Sequence, residues 1–212
     1  MESWDSYRKH LNTDLQRLES LLATAMDSAG WRPPASGRLR VLDPACGRCD
    51  EAATLVNWFA RRLAATHPAP EVSLLGADIR PREIARAREA FPGSSFEFIV
   101  ADCSKLRDHR EIGGDFGVIF VRHQNLWFDR KVWTVLYAGL LELLADDGVL
   151  VITSYFDREH LQALALLRQL GGRLAVTLQN PLSRPLNHPG KSVDRHLAVL
   201  RRAGTSGGGL IV

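Results

Sequence analysis

The chain has 212 residues, 45% of them hydrophobic and 24% charged, the makeup of one ordinary globular domain with a sizeable core. Its 27 Lys and Arg against 24 Asp and Glu leave a formal charge of only +3, too little to point to nucleic acid or to a membrane surface. Three cysteines are too few, and odd in number, for a disulfide scaffold; no window reaches the ~18 apolar residues of a membrane span, and the first residues lack the apolar stretch of a signal peptide. A reduced, cytoplasmic protein is expected. The excess of Arg over Lys is scattered along the chain, so it reads as coding bias and not as a phosphate-binding patch.

Leu11, Leu15, Leu18, Leu22 and Ala25 recur at helical spacing, together with Trp4 and Tyr7, so residues 1–30 are read as an N-terminal helix packed on the domain and closed by Gly30. The Pro-rich stretch 31–37 cannot continue it. From there strand-like and helical runs alternate. Leu39 to Asp43 precedes a helix over 50–65, and Val72 to Ala77 precedes one over 81–91 that opens on Pro81. Phe96 to Ala101 precedes a short polar turn, Gly117 to Val121 a helix over 129–144, and Val149 to Thr153 a helix over 157–170. Five such pairs predict an α/β fold, a doubly wound and mostly parallel sheet with helices on both faces. Two last strands, Arg173 to Leu178 and His196 to Leu200, have only a loop between them and are expected to be antiparallel neighbours. This gives seven strands in a domain over 38–202, followed by a flexible tail at 203–212.

The most informative stretch is Arg40-Val-Leu-Asp43-Pro-Ala45-Cys46-Gly47-Arg-Cys49-Asp50, a strand that ends on a carboxylate and a turn of small residues that opens a helix. In a doubly wound sheet this turn faces the ligand crevice, and the helix start offers free amides to an anionic group. Asp78 ends the next strand, where a carboxylate can take both hydroxyls of a ribose. Asp102 ends the third. One such acid reads equally well as a cap or turn residue, but three at successive strand ends form a pattern.

These residues resemble the class I S-adenosylmethionine-dependent methyltransferases over roughly 38–200. That family's first motif, an acid followed by Gly-x-Gly-x-Gly, falls here on Asp43, Ala45, Gly47 and Cys49, with Cys46 in the turn; only the middle glycine is kept. The resemblance implies a Rossmann-like sheet ending in an antiparallel hairpin, with S-adenosylmethionine as cofactor. It places the ribose on Asp78 with Ile79 beside it, and the adenine near Asp102 and Cys103.

The fourth strand ends in Val121-Arg122-His123-Gln-Asn125-Leu-Trp127, where amino-methylating members carry Asn or Asp followed by Pro-Pro, so DNA adenine methylation is not implied. Methyl transfer is an in-line displacement in which positioning contributes most. If a base is used, His123 is the candidate, because its ordinary pKa suits proton transfer near neutral pH. Arg122, Asn125, Trp127 and Tyr155 are candidates to hold an acceptor. With no appended nucleic-acid module and no basic aromatic patch along the sequence, a small-molecule acceptor is expected, with no nucleic acid and no membrane. Two alternatives are a degenerate cofactor-fold binder without turnover, and a thiol or zinc protein built on Cys46 and Cys49. No resident metal is expected, and the oligomeric state is not encoded in any motif.

Overall fold

The computed structural model of the protein describes residues 4–109 and 112–203. The expected tail lies, from Gly204 on, outside the described residues, as do the side chains of Trp4 and Tyr7. Thirteen elements run in the order α1 (Trp4–Ser28), β1 (Arg38–Pro44), α2 (Ala52–Ala64), β2 (Glu71–Asp78), α3 (Pro81–Ala90), β3 (Phe96–Val100), a 3₁₀ turn (Cys103–Asp108), β4 (Phe116–Val121), α4 (Arg130–Leu143), β5 (Leu144–Ser154), α5 (Asp157–Gln169), β6 (Gly172–Gln179) and β7 (His196–Arg202).

The strands form one sheet in the order β3-β2-β1-β4-β5-β7-β6. The first five are parallel. β7 slots antiparallel between β5 and β6, with Ile152 opposite Ala198 and Leu178 opposite Leu197. The chain moves outward from β1 through α2 and α3, then returns to the other side of β1 with β4, so the strand order reverses between β1 and β4. In such sheets ligands sit beyond the carboxyl ends of the strands at that reversal.

Because successive strand residues point to opposite faces, the central strands are apolar throughout. Val41, Val118, Phe120, Val149, Val151, Leu197 and Val199 face one core, shared with α1, α2 and α3. Leu42, Ile119, Val121, Leu150, Ile152, Ala198 and Leu200 face the other, shared with α4 and α5. The N-terminal helix buries Leu18, Leu22, Ala25 and Met26 completely in the first core, beside Trp58 and Phe59 of α2. Ion pairs Arg61–Glu19 and Arg62–Asp27 tie its exposed flank to α2. Exposed pairs of this kind contribute little, so apolar burial is what anchors α1.

Candidate active site

The turn after β1 adopts left-handed backbone at every second residue, Ala45 (φ 57°), Gly47 (φ 60°) and Cys49 (φ 52°). Glycine adopts such angles without steric cost, whereas Ala and Cys do not. Ala45 and Cys49 therefore hold in this turn a conformation that glycine would adopt more easily. The turn is fastened on three sides. Cys46 N donates to Ala77 O at 3.1 Å, Ala45 N to Cys103 Sγ at 3.2 Å, and Gly47 N to Asp78 Oδ2 at 2.8 Å. A Cβ on Gly47 would stand 3.0 Å from the Arg80 guanidinium. The left-handed angle, more than the space, is what favours glycine at position 47.

The three strand-end acids differ in state. Asp43 is fully buried, accepts a hydrogen bond from Cys49 Sγ at 3.1 Å through Oδ2, and leaves Oδ1 without a partner. Burial, then the charge of Glu51, push its carboxyl well above the usual carboxylate range. Asp78 is saturated. Its Oδ1 accepts from Arg80 N and Nε, both at 2.9 Å, and its Oδ2 from Gly47 N and from the Arg80 terminal nitrogen at 3.0 Å. Burial opposes its charged form, but Arg80 and these amides outweigh it and hold the carboxyl below its ordinary range. Asp102 caps the 3₁₀ turn, accepting from Ser104 N and Oγ. Ile79 is exposed beside Asp78, and Val100 just before Asp102.

At the end of β4 a chain of charges crosses the crevice. Arg122, almost wholly buried, forks between Glu51 Oε2 (3.1 Å) and Asp194 Oδ2 (2.8 Å). Asp194 in turn lies 2.9 Å from His123 Nε2, outside the direction of a hydrogen bond. Burial disfavours the Asp194 carboxylate, yet the Arg122 guanidinium and then His123 hold it far below the usual range, so it stays ionised. His123 takes left-handed backbone (φ 57°) and donates its amide to Thr153 Oγ1 at 3.2 Å, which turns the ring out of the sheet. The ring stacks on Tyr155 at 3.9 Å and 18°. Burial pushes the Tyr155 hydroxyl up to about 12, so it remains protonated.

These groups line a cavity of about 430 Å³ with Cys46, Gly47, Glu51, Arg122, His123 and Tyr155 on its walls. Its roof comes from opposite ends of the chain. Leu11 and Asp14 of α1 meet Arg184, Leu186 and Val193 of the β6–β7 connection, and Arg184 grips Asp14 with hydrogen bonds of 2.7 to 3.1 Å. Beneath, a buried relay runs from Tyr137 through Gln124, Ser154 (2.6 Å) and His160 (3.1 Å) to Thr177 (2.8 Å). It satisfies every polar side chain it buries and locks the ends of β4 and β5 to β6.

Several expected residues take other positions. Cys49 points inward to Asp43, and Cys103 lies under the turn with its thiol pushed up to about 12 by burial, so both act from below. Arg122 is held by two acids and is not free to clamp an acceptor directly. Asn125 accepts from Phe128 N through its backbone and does not line the cavity; Trp127 stands on the rim, and Tyr155 is a wall. Cys46, Cys49, Cys103 and His123 do not form a ligand set: among the described residues no group of three or more His, Cys, Asp or Glu is arranged to hold a metal. Glu51, Asp194, Arg80 and Asp14 leave no signal in sequence, because nothing in a linear segment pairs residues brought together by different loops.

No family model and no curated protein sequence matches the chain. Solved structures do. One is an S-adenosylmethionine-dependent methyltransferase from Clostridium acetobutylicum, at 10% identity and a TM-score of 0.64 over 93% of this chain and 96% of that one. Another is a TehB-like methyltransferase from Corynebacterium glutamicum, at 19% identity and 0.57 over 92% and 99%. A third is an rRNA methylase from Streptococcus thermophilus, at 15% identity and 0.58 over 87% and 97%. At these identities the likeness is one of fold, and the chain has the Rossmann-like fold of the S-adenosylmethionine-dependent methyltransferases. Among the described residues no helix is long and apolar enough to cross a membrane.

Proposed function

We propose that this protein, built on the methyltransferase fold, binds S-adenosylmethionine at the turn after β1 and transfers its methyl group to an acceptor in the roofed cavity. The observation that carries the reading is the turn itself: Ala45, Gly47 and Cys49 keep the alternating left-handed path, and the Gly47 amide is fastened to Asp78. Held in this way, the turn sets small residues at the carboxyl end of β1, where a doubly wound sheet meets its ligand. The residues fit the cofactor in three further respects. Asp43 keeps a buried oxygen without a partner, Asp78 stands at the ribose position, and exposed Ile79 and Val100 offer apolar cover for a base near Asp102 and Cys103.

The cofactor supplies an electrophilic methyl group on a sulfonium. The chain's own residues then position the acceptor and remove its proton. His123 lines the cavity with Nε2 2.9 Å from ionised Asp194, and Tyr155 fixes the plane of the ring. His123 would take up the proton that the acceptor gives up on methylation. Arg122 and Glu51 do not touch the reacting atoms; they hold Asp194. A cavity of about 430 Å³ admits the reacting end of the cofactor and a compact acceptor group. A free small molecule satisfies that limit, and so does the end of a larger one. Leu11 and Asp14 of α1 roof the cavity of the unit over 38–202, and the free Cys46, Cys49 and Cys103 suit a reducing cytoplasm.

Calorimetry with S-adenosylmethionine and S-adenosylhomocysteine on the wild type and on Asp78→Ala tests the reading. Binding to the wild type that is lost in the variant is expected. Absence of heat at millimolar ligand would leave a degenerate fold without turnover as the better account.

A further inference from the structure

We propose that the rim of the crevice beside His123 and Tyr155 is a docking surface for a single-stranded nucleic acid, which presents a base to the cavity. In sequence the relevant residues are split over three connections, which is why no basic aromatic patch is legible there; the fold assembles one. After β4 come Trp127, Phe128, Arg130 and Lys131; after β5, Phe156 and Arg158; in the β6–β7 connection, His188 and Lys191. The rings are in contact. Trp127 lies 4.9 Å from Phe156, which meets the edge of His188 at 5.4 Å, and Trp127 is braced by a 2.8 Å hydrogen bond from Nε1 to Gln162. Phe128 is 87% exposed, an unusual position for a large apolar ring that serves only packing.

Four cations, Arg130, Lys131, Arg158 and Lys191, flank these rings along the chain, and the acids Asp129, Asp157 and Glu159 stand among them. Lys191 Nζ sits 4.4 Å from the Tyr155 ring and 6.0 Å from Phe156. Among the described residues no carboxylate pairs with Lys191, Arg130, Lys131 or Arg158. The acids close by are already committed: Asp129 caps α4 through the amides of Lys131 and Val132, and Asp157 is held by Arg195 and His196. Exposed rings interleaved with uncommitted cations suit unstacked bases on a phosphate backbone, because every base has a face to stack and every linkage a charge to meet. A duplex hides its base faces. A second copy of this chain, docked through the same patch, would set cation against cation.

The inference deepens the reading of the acceptor and rests on it only for what is methylated, since docking can be measured without cofactor. The experiment is fluorescence anisotropy of the full chain with labelled strands of about 12 nucleotides, as single-stranded RNA, single-stranded DNA and duplex, in low and fourfold higher salt. Binding to either single strand in preference to duplex is expected, weakened roughly tenfold or more by the added salt. Phe128→Ser should weaken it about tenfold through lost stacking, and Lys131→Glu with Arg158→Glu further. Arg86→Glu, an exposed change on α3, should have no effect. All four residues are at the surface, and circular dichroism confirms folding. No binding at tens of micromolar, equal binding of duplex, indifference to the rim variants, or self-association abolished by Phe128→Ser would each overturn the proposal. If S-adenosylhomocysteine binds while no strand does, a free small molecule is the acceptor; if neither binds, the methyltransferase reading fails as well.

Discussion

Arg80 embraces the carboxylate of Asp78 with its own amide, Nε and a terminal nitrogen, so the acid at the ribose position is already fully hydrogen-bonded by its neighbour two residues on. On the proposed reading, a ribose diol would take the place of the guanidinium. The Arg80 side chain is 61% exposed although Asp78 is buried, and solvent on the guanidinium screens the pair to about 1 kcal/mol. Arg80→Ala is therefore expected to bind S-adenosylhomocysteine about two- to fivefold more tightly, and added salt should narrow the difference. Calorimetry reads both. Weaker binding in the variant would mean that Arg80 holds the ligand.

Asp194 is the counter-ion of a buried cation. Asp194→Asn leaves the Arg122 charge under-compensated and is expected to cost about 3 kcal/mol at neutral pH by denaturant unfolding. The folded carboxyl lies below its ordinary value, so its contribution is present above the unfolded pKa of ~3.9 and lost as pH falls through the folded value. The gap between wild type and variant should then shrink under acid. A gap unchanged below pH ~4 would show that Asp194 contributes by packing alone.

Glu159 behaves in the opposite sense. Burial raises its carboxyl to about 7, offset in part by the Tyr155 amide, which donates at 3.2 Å. A raised folded value means that the contribution is complete below the unfolded pKa of ~4.3 and is lost as pH rises through about 7. Glu159→Gln keeps the amide's acceptor and never ionises. It should gain on the wild type by about 1 to 3 kcal/mol between mildly acidic and mildly alkaline pH, measured as the difference in unfolding free energy.

Ala45 is exposed with φ 57° and serves the turn through its backbone amide, so its methyl group brings strain with little burial. Ala45→Gly is expected to stabilise the fold by about 0.5 to 1 kcal/mol, against the usual direction of that change. A lower melting temperature would show that the Ala45 methyl group packs favourably in the turn.

The order of elements was legible because each rests on local chemistry. β1, β4 and β5 are apolar runs long enough for strands and too short for helices, and Pro81 opens α3 where its missing amide is harmless. The pairing of β6 with β7 followed from the lack of a helix between them, and the insertion of β7 beside β5 did not, since neighbours in a sheet are chosen by packing. Within the site, Asp43, Gly47 and Asp78 stood out because strand ends and tight turns leave a mark in sequence. Asp194 left none: it meets Arg122 across 72 positions, through a loop whose sequence reads as solvated. The angles at Ala45 and Cys49 were equally hidden, because their side chains disguise a path that glycine would have announced.

The clasp between Asp14 and Arg184 spans 170 positions of the chain. During synthesis the first helix emerges long before its partner, so the two cannot join until the β6–β7 connection has been made. The clasp therefore ties the earliest helix to the connection that precedes the last strand, so a cut anywhere between them would leave the roof's two halves on separate pieces.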